Sequence, residues 1–154
     1  MAKLILGFSG VGKSTVCNSN IDLKCSDSDS SKFSWVIENG KRIRNPKFVE
    51  EYVNHLKKEL LNNDIVFAST HSQIIKELQQ QGIEHLIVTP FHSAKDEYIK
   101  RWSNRGSDDK FIELMSTNFH KFVDDVLNSG SNILVLRDKQ TMEDALRLLG
   151  VRKA

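Results

Sequence analysis

The feature that most restricts how this chain folds is a glycine-rich segment near its start, Gly7-Phe8-Ser9-Gly10-Val11-Gly12-Lys13-Ser14. Its pattern is a glycine, four further residues, and then glycine, lysine and serine. Glycines let the backbone bring its N–H groups close to a ligand, and the positive end of a following helix favours anions. The apolar residues 4–6 precede the segment as a candidate strand, and a helix is expected from Lys13. The pattern therefore predicts a phosphate-binding loop, or P-loop, between a strand and a helix.

Two side chains of this loop have predicted chemical roles. Lys13 should reach the β- and γ-phosphates of a nucleotide, and the Ser14 hydroxyl should ligate Mg²⁺. We therefore predict that the chain binds ATP, with GTP as the alternative, together with Mg²⁺. The competing interpretation is a glycine-rich turn that binds nothing, but the position between a strand and a helix is the one the binding mechanism requires. The predicted nucleotide-binding residues are consecutive: Ser9, Gly10, Val11, Gly12, Lys13 and Ser14.

The rest of the chain alternates between strand-like and helix-like segments. Short apolar runs predict strands at residues 4–6, 21–25, 65–68, 85–89 and 133–136. Amphipathic spacing predicts helices at residues 13–20, 46–61, 72–81, 93–104, 109–128 and 141–149. Residues 33–46 look irregular apart from an Asn39-Gly40 turn signal. The alternation predicts an α/β chain with a three-layer P-loop NTPase fold, in which helices flank a five-stranded parallel sheet.

Length and composition suit one soluble domain covering all 154 residues. Hydrophobic residues make up 39% of the chain and charged residues 27%, which is ordinary for a globular protein. No run approaches the roughly 18 apolar residues that a membrane span needs, so no membrane partner is expected. The net charge of +2 indicates no strongly basic surface for a stable nucleic-acid partner, although it leaves a local basic site open. The oligomeric state stays open, a homodimer included.

The two cysteines, Cys17 and Cys25, have neither the spacing of a zinc site nor that of a redox motif. We interpret them as reduced, buried thiols of a cytosolic protein rather than as catalytic or disulfide-bonded residues. The first residues run straight into the glycine-rich loop, without the apolar region and cleavage site of a signal peptide. The predicted location is therefore the cytoplasm.

Two carboxylates, Asp27 and Asp29, follow the second predicted strand. Carboxyl ends of strands in such a sheet face one ligand crevice, where this pair could hold Mg²⁺ or orient the group that attacks the γ-phosphate. The alternative is an acidic turn, since Asp and Ser are good turn residues. His71, after the third predicted strand, is either a substrate contact or a structural cap. Phe33 and Trp35 either stack on a nucleobase or belong to the core.

Positive charge for phosphoryl transfer has two candidate sources. Arg42 and Arg44 lie in the irregular stretch. Arg101 and Arg105 are four residues apart just before Gly106, so they would present both guanidinium groups on one helix face as part of a mobile lid. Such cations would stabilise the negative charge that spreads over the phosphoryl oxygens in the transition state. For each arginine the alternative is an ordinary solvated surface position.

Taken in order, these segments resemble the adenylate-kinase-like nucleoside monophosphate kinases, and in particular a small phage- and prophage-associated group of P-loop deoxynucleotide kinases. The matching segments are residues 7–15, 27–35, 44–46, 69–71 and 97–106. The resemblance implies a five-stranded parallel sheet with an acceptor-binding region between the second and third strands, at about residues 30–62. It also implies a short arginine-bearing lid at about residues 101–109.

The resemblance also implies roles for single residues. Thr15 would join the residues that bind the donor phosphates, and Arg101 and Arg105 would hold those phosphates during transfer. The acceptor would be faced by four residues: Asp29, Phe33, Trp35 and Arg44. The chain departs from cellular adenylate kinases because it lacks their longer lid and their aspartate after the third strand.

The leading hypothesis is a phosphotransferase that moves the γ-phosphoryl group of ATP to a (deoxy)nucleoside monophosphate, using Lys13, Arg101 and Arg105. One alternative is a small-metabolite kinase similar to the shikimate and gluconate kinases, with Asp27 or Asp29 at the acceptor hydroxyl. Another is a kinase acting on a hydroxyl within nucleic acid. A third is a nucleotide-dependent switch with little turnover, although no guanine-reading Asn-Lys-x-Asp motif is present. A phage origin would make the site of action the host cytoplasm.

Overall fold

The computed structural model describes residues 3–18, 23–28 and 30–149. Within these ranges the strands are β1 (Lys3–Gly7), β2 (Cys25–Asp27), β3 (Trp35–Glu38), β4 (Lys41–Arg44), β5 (Ile65–Ser69), β6 (Leu86–Pro90) and β7 (Asn132–Leu136). The α-helices are α1 (Lys13–Cys17), α2 (Phe48–Asn62), α3 (Ser72–Gln80), α4 (Lys95–Asn104), α5 (Asp109–Leu127) and α6 (Met142–Leu148). Single 3₁₀ turns occur at Ser30–Phe33 and His92–Ala94.

Five strands form one parallel sheet in the order β2-β5-β1-β6-β7. The central strand β1 pairs with β5 on one side, where Gly7 lies opposite Ser69, and with β6 on the other, where Gly7 lies opposite Val88. Because the strands are parallel, their carboxyl ends all lie at the same edge of the sheet. The predicted five-stranded parallel sheet flanked by helices is confirmed, and its geometry brings the ends of β1, β2 and β5 side by side.

The two faces of the sheet are covered by two separate groups of apolar side chains. Leu4 and Leu6 point to one face and pack in a cluster with residues of α2 and α3. Ile5 points to the other face and packs in a cluster with residues of α1, α4, α5 and α6. This alternation follows from the two-residue repeat of a strand, and a strand covered on both faces is apolar throughout. The three-layer arrangement therefore follows from the continuous apolar sequence of β1.

The stretch at 33–46, which the sequence suggested to be irregular, contains a β-hairpin. Strands β3 and β4 pair in antiparallel fashion, and the connecting Asn39 and Gly40 both have positive φ, at 52° and 74°. Two consecutive residues of positive φ make the tight turn that matches strand twist, and Asn-Gly is its preferred sequence. The predicted turn at Asn39-Gly40 is therefore correct, whereas the prediction that the residues on either side of it are irregular is wrong. The strands were missed because charged residues interrupt the apolar pattern on both of them.

The region around the two cysteines differs from the prediction in two ways. Cys17 and Cys25 form a disulfide with a Cα–Cα distance of 5.5 Å, and both are only half-buried, so they are not reduced, buried thiols. They meet because α1 ends at Cys17 and β2 begins at Cys25. Reduced cysteines were one of the arguments for a cytoplasmic location, and the disulfide removes that argument. Strand β2 also starts later than predicted, and Ile21 lies outside the described residues.

Candidate functional site: the cleft at the carboxyl edge of the sheet

The glycine-rich segment forms a loop that leaves β1 at Gly7 and enters α1 at Lys13. Gly10 and Gly12 have φ of 93° and 102°, a conformation that L side chains rarely adopt. Between them, Val11 is fully buried and its N–H donates to the Phe8 carbonyl at 3.1 Å. The loop is thus anchored by an apolar side chain while its glycines turn the backbone. Its residues from 7 to 15 all line the cleft at this edge of the sheet.

Helix α4 supports the loop from below through two buried aromatic side chains. The indole Nε1–H of Trp102 donates to the Ser9 carbonyl at 3.2 Å. A Cβ atom on Gly10 would lie 2.9 Å from that Nε1 and 3.2 Å from the Tyr98 ring, so only glycine fits here without a shift. Sequence reasoning missed Tyr98 and Trp102 as supports of the loop. The sequence feature that could have identified them is their spacing of four residues, because residues i and i+4 lie on the same face of a helix.

Two arginines at the C-terminal end of α4 donate hydrogen bonds to the glycine-rich loop. The Arg101 guanidinium donates to the Gly10 carbonyl at 3.0 Å and to the Gln140 carbonyl at 2.8 Å, and it lies 4.4 Å from the Tyr98 ring centroid. The Arg105 guanidinium donates to the Ser9 hydroxyl at 3.1 Å. The structure therefore brings Arg101 and Arg105 together at the loop, where both line the cleft. The predicted i,i+4 geometry accounts for this convergence.

The carboxylate at the end of β2 lies next to the end of the loop. The Ser14 hydroxyl donates to Asp27 Oδ2 at 2.6 Å, and both residues are exposed to the cleft. Lys13 donates from Nζ to the Gly7 carbonyl at 2.8 Å, so its ammonium group curls over the loop. The hydroxyl and carboxylate oxygens supply the hard donors that Mg²⁺ prefers. Asp29, the other predicted carboxylate, lies outside the described residues.

Beyond Asp27 the cleft continues over the ends of β2 and β5 and the start of α3. The whole cleft has a volume of about 1250 Å³. This far end is lined by small hydroxyl side chains and one imidazole: Ser28, Ser30, Ser69, Thr70, His71 and Ser72. Burial, followed by the positive charge of Arg44, lowers the pKa of His71 below its ordinary 6.5. His71 is therefore neutral at pH 7, and Arg44 acts on it through its charge although it does not line the cleft.

Three residues predicted to face the acceptor do not form the cleft wall. Phe33 packs its ring against Tyr52 and His55, with centroid distances of 5.5 and 5.0 Å, so it belongs to the surrounding core. Trp35 and Arg44 lie on the hairpin, outside the residues that line the cleft. The alternative interpretation of Phe33 as a core contact is the one its packing favours.

A buried tyrosine that sequence reasoning missed connects the two strand ends of this region. The Tyr52 hydroxyl of α2 donates to the Ser28 carbonyl at 2.6 Å and accepts from the Ser69 N–H at 3.3 Å. Asn45 has a comparable role before α2, since its amide group donates to the Phe33 carbonyl at 2.7 Å and to Glu51 Oε1 at 2.9 Å. Nothing in a single sequence distinguishes Tyr52 from the other apolar residues of an amphipathic helix.

The parallel sheet, the helices on both faces and the glycine-rich loop between β1 and α1 define a P-loop NTPase fold. No protein-family model matches the sequence, and no curated protein matches it either. The structure is similar to that of the tunicamycin resistance protein of Deinococcus radiodurans, with a TM-score of 0.64. The similarity covers 97% of this chain and 95% of that chain, while the two sequences are 11% identical. At this identity the likeness concerns the fold alone.

None of the helices in the described ranges is both long enough and apolar enough to cross a membrane.

Proposed function

We propose that this protein transfers the γ-phosphoryl group of ATP to a (deoxy)nucleoside monophosphate and releases the diphosphate. The observation that carries the proposal is the convergence of Arg101 and Arg105 on the glycine-rich loop, at 3.0 Å from the Gly10 carbonyl and 3.1 Å from the Ser9 hydroxyl. Cations beside a phosphate-binding loop serve phosphoryl transfer, because charge develops on the transferred group. The resemblance of the sequence to the nucleoside monophosphate kinases supports the choice of acceptor.

On the donor side, the loop N–H groups and the start of α1 would hold the phosphates of the nucleotide. Lys13 would turn from the Gly7 carbonyl toward those phosphates, since its flexible stem allows the ammonium group to move. The Ser14 and Asp27 oxygens, joined at 2.6 Å, fit a magnesium site in their chemistry. When bound, ATP supplies the phosphoryl group and Mg²⁺ neutralises charge on its oxygens.

On the acceptor side, we assign the region of about residues 30–62 together with the hydroxyl-lined end of the cleft. His71, neutral at pH 7, can donate or accept one hydrogen bond there, and the positive charge of Arg44 acts on it from outside the cleft wall. Residues from about 101 to 109 would form the lid. Its moving part would follow the fully buried Trp102, because α4 ends at Asn104 and Gly106 has a φ of 82° before α5 begins. Closure would exclude water, so that the acceptor phosphate rather than water receives the phosphoryl group.

A second candidate is a kinase that phosphorylates a hydroxyl group of a small metabolite. The observation that favours it is the wall of the far end of the cleft, which has hydroxyl groups and His71 but lacks Phe33, Trp35 and Arg44. In this case Asp27 would orient the acceptor hydroxyl or accept its proton.

The two candidates are separated by one experiment. Purified protein is incubated with Mg²⁺ and γ-labelled ATP, and each ribo- and deoxynucleoside monophosphate is offered separately. Shikimate, gluconate and a DNA oligomer complete the panel, together with tunicamycin, the compound in the name of the structurally similar protein. Label in one or a few nucleoside diphosphates supports the proposal and identifies the base. Label in a small hydroxyl compound supports the second candidate, and label only in inorganic phosphate contradicts both.

A further inference from the structure

The hairpin of β3 and β4 has two different faces. Trp35 is paired with Arg44, and Ile37 is paired with Arg42, so these four side chains lie on one face. All four are exposed, with 41% of Trp35 and 81% of Ile37 accessible to solvent. We call this set, Trp35, Ile37, Arg42 and Arg44, the outer face of the hairpin.

The opposite face of the hairpin holds the residues that anchor it. Val36 and Ile43 are paired there and are half-buried. The one acidic side chain of the hairpin, Glu38, is also on that face, where it is paired with Lys41. The outer face therefore has two positive charges, an aromatic ring and an aliphatic side chain, and no negative charge.

The two guanidinium groups of the outer face are positioned by the indole ring. Their Cζ atoms lie 4.6 Å (Arg42) and 5.2 Å (Arg44) from the Trp35 ring centroid. Within the described parts of the chain neither group makes a hydrogen bond or an ion pair, so their N–H donors are all available to a ligand. Stacking on the ring reduces the freedom of two long side chains before any ligand arrives.

We propose that the outer face of the hairpin binds single-stranded nucleic acid. Single strands are bound by a combination of cations along the backbone and aromatic rings on which bases stack, and this face has both. An acidic peptide would bind the two arginines, but its carboxylates would make no use of the exposed apolar side chains of Trp35 and Ile37. The net charge of +2 does not reveal this surface, because the charges of the hairpin are averaged over the whole chain. The proposal goes beyond the proposed function. The hairpin lies within the region of about residues 30–62 assigned to the acceptor, but the four residues of the outer face do not line the cleft, so strand binding can be tested separately from phosphoryl transfer.

The test measures binding of a fluorescein-labelled oligonucleotide of twelve thymidines by fluorescence anisotropy. We expect Trp35→Leu to weaken binding by about 5- to 150-fold, the range for loss of one stacked base. Arg42→Ala with Arg44→Ala should weaken it and reduce the slope of log K against log salt by about 1.4, because two phosphate contacts are lost. The matched control is Arg137→Ala with Arg147→Ala, which removes two exposed positive charges outside the hairpin, one directly after β7 and one on α6, and should leave the affinity within about two-fold of wild type.

Intrinsic fluorescence provides a second readout. The chain has two tryptophans, and Trp102 is fully buried, so quenching by the unlabelled oligonucleotide reports on Trp35. Quenching in wild type and its loss in Trp35→Leu support the proposal. Lys13→Ala should retain oligonucleotide binding, so that failure of the proposed catalysis and failure of this proposal are distinguishable.

Three results would overturn the proposal. The first is displacement of the labelled strand by base-free polyphosphate of equal charge as effectively as by unlabelled oligonucleotide. The second is tighter binding of an acidic peptide of equal charge. The third is quenching of Trp35 by thymidine monophosphate with the affinity of the oligonucleotide, which would assign the outer face to the mononucleotide acceptor. Circular dichroism of every variant confirms that it is folded before its affinity is compared.

Discussion

The two sides of the cleft are built in different ways. The proposed donor side is one continuous segment, residues 7–15, whose shape is fixed by its own glycines and by the aromatic side chains of α4 beneath it. The proposed acceptor side, at the far end of the cleft, is assembled from the end of β2, a 3₁₀ turn, the end of β5 and the start of α3. Tyr52 of α2 joins two of these pieces through hydrogen bonds of 2.6 and 3.3 Å. The donor side is thus local in sequence, and the acceptor side depends on the tertiary fold.

The largest effect that this comparison predicts concerns a single side chain of the donor side. Lys13→Ala should lower phosphoryl transfer by at least about 100-fold, because a cation at the transferred phosphoryl group is lost. The unfolding midpoint should stay near that of wild type. Lys76→Ala, an exposed lysine on α3 outside the cleft, is the matched control and should keep wild-type rates. Equal rates for both variants in the labelled-ATP assay would show that Lys13 has no part in the chemistry.

The second prediction concerns the link between the two sides. Cys17 lies three residues after Ser14 on α1, and Cys25 lies two residues before Asp27 on β2, so the disulfide and the Ser14–Asp27 hydrogen bond connect the same helix and strand. Replacing both cysteines by serine should reduce the free energy of unfolding by roughly 2 to 3 kcal/mol, as expected for a short closed loop. Urea denaturation measures it. Two free thiols in the purified wild-type protein, or an unchanged midpoint, would contradict this account.

Two glycines allow a direct comparison between the donor side and the hairpin. Gly10 and Gly40 have φ of 93° and 74°, so alanine is strained at both. At Gly10 the new Cβ would also lie 2.9 Å from Trp102 Nε1, whereas at Gly40 no atom lies within 4 Å. Gly10→Ala should therefore cost about 1 to 2 kcal/mol more than Gly40→Ala in unfolding free energy. Equal costs would mean that the packing of α4 beneath the loop is loose.

These comparisons explain which features could be predicted from the sequence. The loop, the five-stranded sheet and the approach of Arg101 and Arg105 depend on short patterns, a glycine spacing, an apolar run and an i,i+4 pair. The disulfide depends on where α1 ends relative to where β2 begins, which only the fold determines. Phe33 was ambiguous because a core aromatic and a stacking aromatic have the same sequence signature. Tyr52 carried no signal because its hydroxyl partners are 17 and 24 residues away.

The acceptor side is tested by Tyr52→Phe. Loss of the hydroxyl leaves the Ser28 carbonyl and the Ser69 N–H without this partner, which should lower stability by about 1 kcal/mol. We expect the KM for the acceptor to rise while the KM for ATP stays unchanged, because only the acceptor side loses a fixed hydrogen bond. The matched control is Tyr98→Phe, which changes the other tyrosine of the chain, on the donor side. A rise in the KM for ATP with Tyr52→Phe would contradict the division into two sides.

The smallest predicted effect concerns pH. Burial raises the pKa of Tyr98 from 10.0 to about 12; Arg101 has a smaller effect that lowers it, and Glu97 a smaller effect that raises it further. The unfolded chain releases this proton near pH 10 while the folded chain keeps it, so the stability from this group is complete below pH 10 and falls as the pH rises toward 12. Between pH 9 and pH 10.5, wild type should lose about 1 kcal/mol more than Tyr98→Phe. Parallel losses in urea titrations would show that Tyr98 ionises normally.

The central claim is that this cleft moves a phosphoryl group from ATP to a nucleoside monophosphate, and ³¹P nuclear magnetic resonance of the reacting mixture tests it most directly. With wild-type protein, Mg²⁺, ATP and the preferred monophosphate, the account predicts that ATP signals fall while signals of ADP and a second diphosphate rise in equal amounts, without inorganic phosphate. Lys13→Ala should show none of these changes on the same timescale. Signals of inorganic phosphate alone, or of a new phosphate monoester on a different acceptor, would contradict the claim.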